Sequence, residues 1–282
     1  MAYPYLIWAI IMILIPLAMI FVYAFTTGGN SVRTFIFTLD NFAKFFSDKV
    51  FIEVLVRSLY IAIMTTIFCI LLGYPTAYVI AKYFGKGQGK LILAITLPTW
   101  INMLVRTYAW RGILQKDGLI NAILGVVGIG PLQMLETNFA VILGMVYNFL
   151  PFMILQIYSS LSKMDESYIQ AAADLGANKV QTFLKVTLPL SIPGIISGIT
   201  LVFLPAVSSF FIPKLLGGGK FVLIGNVIEN QFLTAGNWGF GSAISLIMAI
   251  IIMISMYFAR RVDKKVSPEG SDDWWKRVRV QF

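Results

Sequence analysis

The chain has 282 residues, of which 58% are hydrophobic and 12% are charged, and its mean hydropathy is +0.82. Soluble domains carry about 25% charged residues, so a chain this apolar cannot cover its surface in water and is predicted to be an integral membrane protein. The absence of histidine and the single cysteine exclude His-based catalysis, Cys–His nucleophiles, intrachain disulfides and His or Cys metal clusters. The net charge of +9 fits basic cytoplasmic loops and does not require nucleic acid.

Spanning helices need about 20 apolar residues, and the gaps between charged side chains mark the candidates. We predict an all-α fold with six transmembrane helices, at about residues 6–25, 58–81, 91–110, 139–161, 190–212 and 240–259. No basic segment and no small-residue cleavage site accompany the first stretch, which favours a membrane anchor over a cleaved signal peptide. The third stretch is short between its flanking charges and is extended to reach a spanning length. Six spans put both termini on one side.

The distribution of Lys and Arg predicts the orientation of these spans. If both termini are cytoplasmic, the cytoplasmic side holds 13 of the 22 basic residues, in the loop 82–90, the segment 162–189 and the tail 260–282. The loop 82–90 also lacks acidic residues. We therefore predict one multi-pass transmembrane domain, residues 1–282, with cytoplasmic termini and a cytoplasmic segment 162–189.

The segment 162–189 is a polar, mixed-charge stretch between two uncharged apolar runs, so it is well placed to contact something in the water. Asp165 can cap a helix that begins at Glu166, where acidic side chains suit the positive end of a helix. Ala171–Ala173 are strong helix formers, and Gly176 stands where a helix end favours a left-handed residue. The pattern predicts one short helix that ends in a tight turn.

A second short helix is predicted directly after this turn. Asn178 with Gln181 three residues later resembles a capping box. Pro189 closes the segment, because the residue before a proline, here Leu188, is pushed out of the helical region. The small side chains leave a surface that another protein can approach closely. The alternative is an ordinary interfacial loop that packs on its own bundle, and the physical features leave both interpretations open.

The segment resembles the EAA loop of ABC-importer permeases, in which Glu-Ala-Ala, three residues, Gly, nine residues and Ile-x-Leu-Pro follow one another. This chain has Gln170-Ala171-Ala172, three residues, Gly176, nine residues and Val186-Thr187-Leu188-Pro189. Several fixed gaps therefore agree at once, between two predicted spans. The chain departs from the pattern at Val186 and at Gln170, which keeps the length and an acceptor oxygen of Glu but loses its charge.

In that family the loop forms a coupling helix that sits in a groove of the cytoplasmic ATPase. The resemblance implies that the same segment of this chain docks on an ATPase. Gln170 can then make a hydrogen bond to the ATPase but no salt bridge. The residues that the resemblance implies for docking are Gln170, Ala171, Ala172, Asp174, Leu175, Gly176, Leu188 and Pro189.

The resemblance to spermidine/putrescine-type permeases extends over nearly the whole chain. It is carried by LDNFAKFF (39–46), LLGYPTAY (71–78), LPTWINMLVRTYAW (97–110), FLPF (149–152) and LPAVSSFFIPKLLGGGKFVLIGNVIENQF (204–232). It implies the type I ABC importer permease (MetI-like) fold, with a cytoplasmic coupling helix between spans 4 and 5, in a bacterial cell membrane. The implied substrate is spermidine or putrescine, and related permeases for iron, sulfate or other organic cations are the alternative.

Two glycine–lysine runs come near the nucleotide-binding P-loop pattern without meeting it. In GKGQGK, residues 85–90, the glycines stand one residue too close and Leu91 follows the lysine; Phe221 follows GGGK at 217–220. We predict that this chain is no enzyme and binds no cofactor. The resemblance implies that ATP and Mg bind to a separate ATPase present in two copies. It also implies a second homologous permease, which makes a heterodimer, and an extracytoplasmic polyamine-binding receptor.

Polar groups in a membrane span are costly and tend to face the bundle interior or a cavity. The polar and aromatic residues of the third predicted span could line a path, and the alternative is that they form an interfacial aromatic belt with a snorkelling Arg. For Pro205, which predicts a kink, the alternative is a role in packing only. Arg106 repels a polyamine and suits an acid on the partner permease or the receptor. The candidates for lining or gating a path are Trp100, Asn102, Arg106, Tyr108, Asn148, Pro205, Ser208, Ser209 and Phe210.

Glu229 precedes the sixth predicted span, on the predicted outer side. It could attract a cation or contact the receptor, and the alternative is a solvated loop carboxylate. No Asp or Glu lies inside a predicted span, which favours substrate selection by the receptor. A stand-alone ion-coupled transporter would need intramembrane carboxylates or His, and internal repeats, and none is seen. A membrane enzyme would need a catalytic constellation that this sequence lacks.

Overall fold

The computed structural model describes residues 8, 10–27, 36–219 and 221–266. Four of its helical stretches are long and apolar enough to cross a membrane: Lys49–Tyr83, Asn138–Ser162, Lys179–Ser208 and Trp238–Arg261. A bent pair, Gly85–Trp100 with Met103–Val126, makes a fifth if it is one span, and Ile10–Ala24 is a shorter apolar helix. The described part of the chain therefore has the all-helical membrane architecture expected, with four or five candidate spans where the sequence predicted six.

The elements follow one another along the chain with one small strand pair near the beginning, where β1 (Thr26–Thr27) pairs antiparallel with β2 (Ile36–Phe37). The α-helices are α1 (Ile15–Ala24), α2 (Asp40–Ser47), α3 (Lys49–Tyr83), α4 (Gln88–Thr96), α5 (Met103–Leu114), α6 (Leu119–Val126), α7 (Asn138–Ser162), α8 (Ser167–Asp174), α9 (Lys179–Thr182), α10 (Leu188–Ser208), α11 (Phe211–Leu216), α12 (Ile224–Leu233) and α13 (Trp238–Val266). Wide π-turns precede α1 (Ile10–Leu14) and α10 (Phe183–Thr187), and 3-10 turns cover Gly85–Gly87 and Leu97–Trp100.

The centre of the bundle is formed by α3, α7 and α10, which pack against one another along their lengths. Glycines permit the closest approaches. A Cβ added at Gly194 of α10 would stand 2.5 Å from the Ser160 Cβ of α7, and one at Gly198 would stand 2.5 Å from the Met153 sulfur. Without a hydrophobic force between helices in lipid, small residues that let backbones approach are what make such contacts favourable. The helix α1 packs on α13 at the edge of this centre.

The third predicted span, 91–110, is broken where the sequence analysis expected one continuous helix. The axes on either side of the break differ by 89°. Asn102 has an extended backbone, with ψ of 133°, and its side chain accepts a hydrogen bond of 2.8 Å from the Leu104 amide. A cap of this kind starts a new helix. The span was predicted from the length of an apolar stretch, and that length contains no information about a helix cap inside it.

Four other predicted spans fall on observed helices with shifted ends, while of the first, 6–25, the part Ile10–Ala24 is helical and residues 6, 7 and 9 lie outside the described residues. The stretch 139–161 lies within α7, and 240–259 lies within α13. The stretch 58–81 lies within α3, which begins earlier because Asp48 caps it and accepts a 2.9 Å hydrogen bond from the Val50 amide. The stretch 190–212 crosses the end of α10 at Ser208 and enters α11. Of the predicted tail 260–282, α13 includes the part up to Val266, and 267–282 lies outside the described residues.

Candidate functional site

The segment 162–189 folds into α8 and α9 at one end of the bundle, between α7 and α10. The Asp165 Oδ1 accepts a 2.9 Å hydrogen bond from the Ser167 amide, so its side chain binds the first amide of the helix as predicted, although Glu166 holds the cap position. The helix begins at Ser167, one residue later than expected. The hydrogen bonds from Ser167, the backbone amide first, lower the pKa of the exposed Asp165 carboxyl below its ordinary value.

Gly176 ends α8 in the left-handed conformation, with φ of 81°. Its amide donates to the Ala173 carbonyl at 2.9 Å, and the next amide, of Ala177, donates to the Ala172 carbonyl at 3.0 Å. These two bonds are the Schellman pattern that satisfies the last carbonyls of a helix. The predicted left-handed glycine is confirmed. A Cβ at this position would meet no atom within 4 Å, so the surface beside Gly176 is open.

The capping box that starts α9 is also present. The Asn178 side chain accepts from the Gln181 amide and the Gln181 side chain accepts from the Asn178 amide, both at 2.9 Å. The prediction that the helix closes at Leu188-Pro189 is wrong, because the helix continues through the π-turn Phe183–Thr187 into α10. Proline lacks an N–H and crowds the carbonyl four residues before it, and a wider π-turn at that place accommodates it.

The surface of this segment divides into a packed part and an exposed part. Ala172 is buried and Leu188 and Pro189 are half-buried in the continuous helix, while Ala171, Asp174 and Gly176 are exposed. Three apolar side chains stand out of the surface: Leu175 is 66% exposed, Val180 65% and Leu184 53%. Sequence reasoning missed Val180 and Leu184. Their signal was an i, i+4 apolar pair within a stretch that is otherwise polar.

A cavity of about 410 Å³ separates α8 from the neighbouring ends of α3, α4 and α7. Gln170 is exposed and lines this cavity, so its side chain lies on the bundle side of α8. The polar lining of the cavity comes from Tyr78, Lys82, Gln88, Ser162, Glu166, Gln170 and Thr187.

The path candidates of the third predicted span lie around the helix break. Trp100 and Asn102 are exposed at the break, and Tyr108 is exposed on α5. Arg106 is held inward: its Nε donates to the Ile101 carbonyl at 3.1 Å, and its guanidinium lies 6.0 Å from the Tyr147 ring centroid on α7. Its Nη1 is buried with no hydrogen-bond partner within the described residues.

The remaining path candidates separate into buried and exposed groups. Asn148 is buried in α7, where its amide donates to the Gly144 carbonyl at 2.8 Å, so it faces the packed core. Ser209 is buried and Phe210 is half-buried at the end of α10, whereas Pro205 and Ser208 are exposed. The exposed positions continue a stripe along one face of α10, and its other members, Ser197 and Leu201, were not predicted. Their spacing of four residues was the available signal.

Glu229 lies on α12, at the opposite end of α10 from α8. It forms an ion pair with Lys214 of α11, with 2.9 Å between the Lys214 Nζ and the Glu229 Oε1. The solvated loop carboxylate that the sequence analysis left as an alternative is therefore not what is observed. The pair joins α11 to α12, and it offsets the negative charge that would attract a cation.

A family model described as binding-protein-dependent transport system inner membrane component matches residues 120–268. The chain is 40% identical over 260 residues to the spermidine/putrescine transport system permease protein PotB of Haemophilus influenzae, covering 91% of each chain. It is 40% identical over 269 residues to the protein of the same name from Escherichia coli K12, covering 93% of this chain and 98% of that protein. A solved structure of a bacterial ABC transporter involved in the import of the acidic polysaccharide alginate matches with a TM-score of 0.79 at 18% identity, covering 94% of this chain and 93% of that chain, which concerns the fold alone.

Proposed function

The chain belongs to the family of binding-protein-dependent transport system inner membrane components, and on that premise we propose that it is the permease subunit of an ATP-driven ABC importer for spermidine or putrescine. The substrate assignment is supported by the identity of 40% to two relatives of that name over nearly the full length of both chains. The importer assignment is carried by one observation of the structure. A capped, exposed segment between two spans presents apolar side chains to the water.

The chain forms a single transmembrane domain of six spans, of the type I importer permease fold. This count takes the bent pair around Asn102 as one span and the shorter apolar helix Ile10–Ala24 as another. Both termini and the segment 162–189 face the cytoplasm, which is supported by the Lys and Arg bias.

The α8–α9 segment docks on a cytoplasmic ATPase. Fully burying a Leu or Val side chain contributes about 1.5–3 kcal/mol, so Leu175, Val180 and Leu184 supply the affinity of this contact. Gly176 leaves room for the ATPase to approach. The exposed Asp174 contributes hydrogen bonds, whereas the Gln170 side chain lines the cavity on the bundle side of α8. The importer contains two copies of the ATPase, which bind ATP and Mg, and a second homologous permease.

Because of its connections, a docked α8–α9 segment would transmit movement of the ATPase to two spans, α7 and α10. The helix α8 follows α7 after four residues, and α9 continues without a break through the π-turn into α10. Nucleotide-dependent contacts with the ATPase shift the equilibrium between inward-open and outward-open arrangements, because only differential interaction with the two states moves such an equilibrium. The exposed face of α10 that carries Pro205 and Ser208 lines the path, together with the exposed residues at the break near Asn102.

The permease itself holds the substrate weakly. The stretches 58–81, 139–161, 190–212 and 240–259 contain no Asp or Glu, and a buried polyamine site would need a carboxylate for each ammonium group. Selection therefore belongs to an extracytoplasmic receptor, which docks at the end of the bundle that carries α12.

The test is ATP hydrolysis by the permease pair, reconstituted in lipid with its ATPase and receptor. Spermidine, putrescine, ferric iron and sulfate are added in turn. We expect only the polyamine-loaded receptor to stimulate hydrolysis and substrate uptake. Stimulation by iron or sulfate alone would overturn the polyamine assignment, and failure of any ATPase to associate would overturn the importer assignment.

A further inference from the structure

Gln88, the first residue of α4, is half-buried where the ends of three helices meet. Its Nε2 donates to the Ala81 carbonyl oxygen at 2.9 Å. Ala81 lies in the last turn of α3, where carbonyls have no partner within their own helix. The Oε1 of Gln88 accepts a hydrogen bond from the Tyr158 hydroxyl of α7 at 3.1 Å. One carboxamide therefore joins the ends of α3, α4 and α7.

The same carboxamide lies beside the segment that the ATPase would move. Gln88 lines one wall of the 410 Å³ cavity, and Glu166, Ile169 and Gln170 of the α8 region line another. The cavity leaves room for α8 to shift without pressing directly on α3 or α4. A displacement of α8 therefore reaches α7 through the chain, and it reaches the ends of α3 and α4 across the Gln88 hydrogen bonds.

Apolar packing between α3 and α7 continues almost to this end of the bundle, where Ile80 and Leu161 are still buried. Deeper in the bundle, a Cβ at Gly73 would meet Met153 at 3.0 Å, so the two helices are in close contact there. At the end of α3, Lys82 and Tyr83 are exposed, as is Phe84 after it. The Gln88 link therefore adds a polar connection beside the last buried side chains, Ile80 of α3 and Leu161 of α7.

We propose that Gln88 is a positioning residue that makes the ends of α3, α4 and α7 move as one body when α8 is displaced. The inference rests on the proposed function, because the displacement is supplied by the ATPase. The single side chain of Gln88, in the first turn of α4, would then determine which helix ends move together.

The test measures distances between spin labels in the assembled importer, with and without trapped ATP. Cys69 is buried, and replacing it by Ala leaves a cysteine-free background. One label pair, F84C with K163C, reports the distance between the ends of α3 and α7. A second pair, F84C with A173C at an exposed position of α8, reports the displacement of α8 relative to α3.

We expect ATP to change the second distance and to leave the first unchanged in the parent. In Gln88→Leu, which removes both hydrogen bonds at similar volume, the first distance should also change with ATP. Tyr158→Phe removes one of the two hydrogen bonds. It should change the equilibrium ratio of complexes with joined and with separated α3 and α7 ends by about fivefold, the order expected for one neutral hydrogen bond. Gln88→Glu keeps the acceptor for Tyr158 and should give a smaller change than Gln88→Leu.

The matched control is Gln133→Leu, the same chemical change at an exposed residue away from the junction, which should behave as the parent. Substrate carried per ATP hydrolysed should fall in Gln88→Leu with the amount of assembled complex unchanged. A first distance that stays fixed in Gln88→Leu while the second responds would overturn the inference and leave the proposed function intact. A second distance that never responds in the parent would instead overturn the proposed function.

Discussion

Two pairs of short helices, α8–α9 and α11–α12, connect spans at opposite ends of α10, and they differ in how their side chains are packed. The α11–α12 pair buries most of its apolar residues, among them Ile212, Leu216 and Ile224, and leaves Leu233 exposed at its end. It is also tied to the bundle, because the Ile224 amide donates to the Ser58 hydroxyl of α3 at 2.8 Å. Most of this pair is therefore covered by the bundle itself.

The α8–α9 pair is held in shape by local hydrogen bonds and not by burial of its side chains. Its backbone is satisfied by local caps at Asp165, Gly176 and Asn178, while its apolar side chains remain exposed. Local caps fix the shape of a segment without burying it, and exposed apolar side chains on a shaped segment mark an interaction surface. Under the proposed function, the α8–α9 pair is the element that docks on the ATPase, whereas most of the α11–α12 pair belongs to the packed bundle.

The largest expected effect is at Gly176. Gly176→Trp places a bulky side chain at a φ of 81°, where side chains are strained, and fills the open approach beside α8. We expect ATPase association and ATP-dependent uptake to be lost, measured by co-purification and vesicle uptake. Gly112→Trp, at another open glycine on α5 without a positive φ, is the control and should keep both. Equal losses in the two variants would remove the special role of Gly176.

Leu216→Ala should give the next largest effect, and on stability only. Leu216 is fully buried in the α11–α12 pair, where loss of a large side chain costs about 2–5 kcal/mol. We expect a lower unfolding temperature in detergent and an unchanged ATPase affinity for the folded fraction. A weaker ATPase affinity would contradict the separation of fold from interface.

Leu175→Ala should show the reverse pattern. Leu175 is exposed in the isolated chain, so stability should hardly change, while affinity for the ATPase should fall by about tenfold or more as burial of the side chain is lost. Binding to immobilised ATPase measures the effect. Leu119→Ala, at a similarly exposed Leu of α6, should leave the affinity unchanged.

Breaking the ion pair of α11 and α12 should have a small effect. Glu229→Gln removes a partly exposed pair with Lys214, and such pairs contribute about 0–1 kcal/mol. We expect a small loss of stability that disappears at high salt. A tenfold loss of uptake with unchanged stability would instead assign Glu229 a direct role towards the substrate or receptor.

The smallest effect concerns pH at the start of α8. The pKa of Asp165 is lowered in the folded protein by the hydrogen bonds from Ser167, so its contribution is present above the unfolded pKa of about 3.9 and is lost as pH falls through the folded value. Amide exchange at Ser167 should therefore be faster in Asp165→Ala, which removes the acceptor, than in the parent, and this difference should shrink only in acid below that range. Equal protection of the parent and the variant at pH 7 would contradict the cap.

The caps of the α8–α9 pair were predictable because each depends on residues within a few positions of one another. Asn178 with Gln181, and Gly176 after a run of alanines, are local signals. The continuation through Pro189 was not, because the π-turn that accommodates the proline has no sequence signature of its own. The break at Asn102 was missed because an apolar count ignores capping chemistry.

The links between distant parts of the chain could not be predicted at all. Gln88 meets Tyr158 across 70 positions of sequence, and Lys214 meets Glu229 only because α11 and α12 fold back on each other. Which face of α10 is exposed likewise depends on how α3 and α7 pack against the other face. These features follow from tertiary packing, which one sequence does not specify locally.

Hydrogen exchange of the permease in lipid, with and without the ATPase, tests the central claim most directly. The account predicts that the ATPase protects amides of 170–184 and leaves those of Phe211–Leu216 unchanged. Protection at Phe211–Leu216 with none at 170–184 would contradict the assignment of the α8–α9 pair as the docking element.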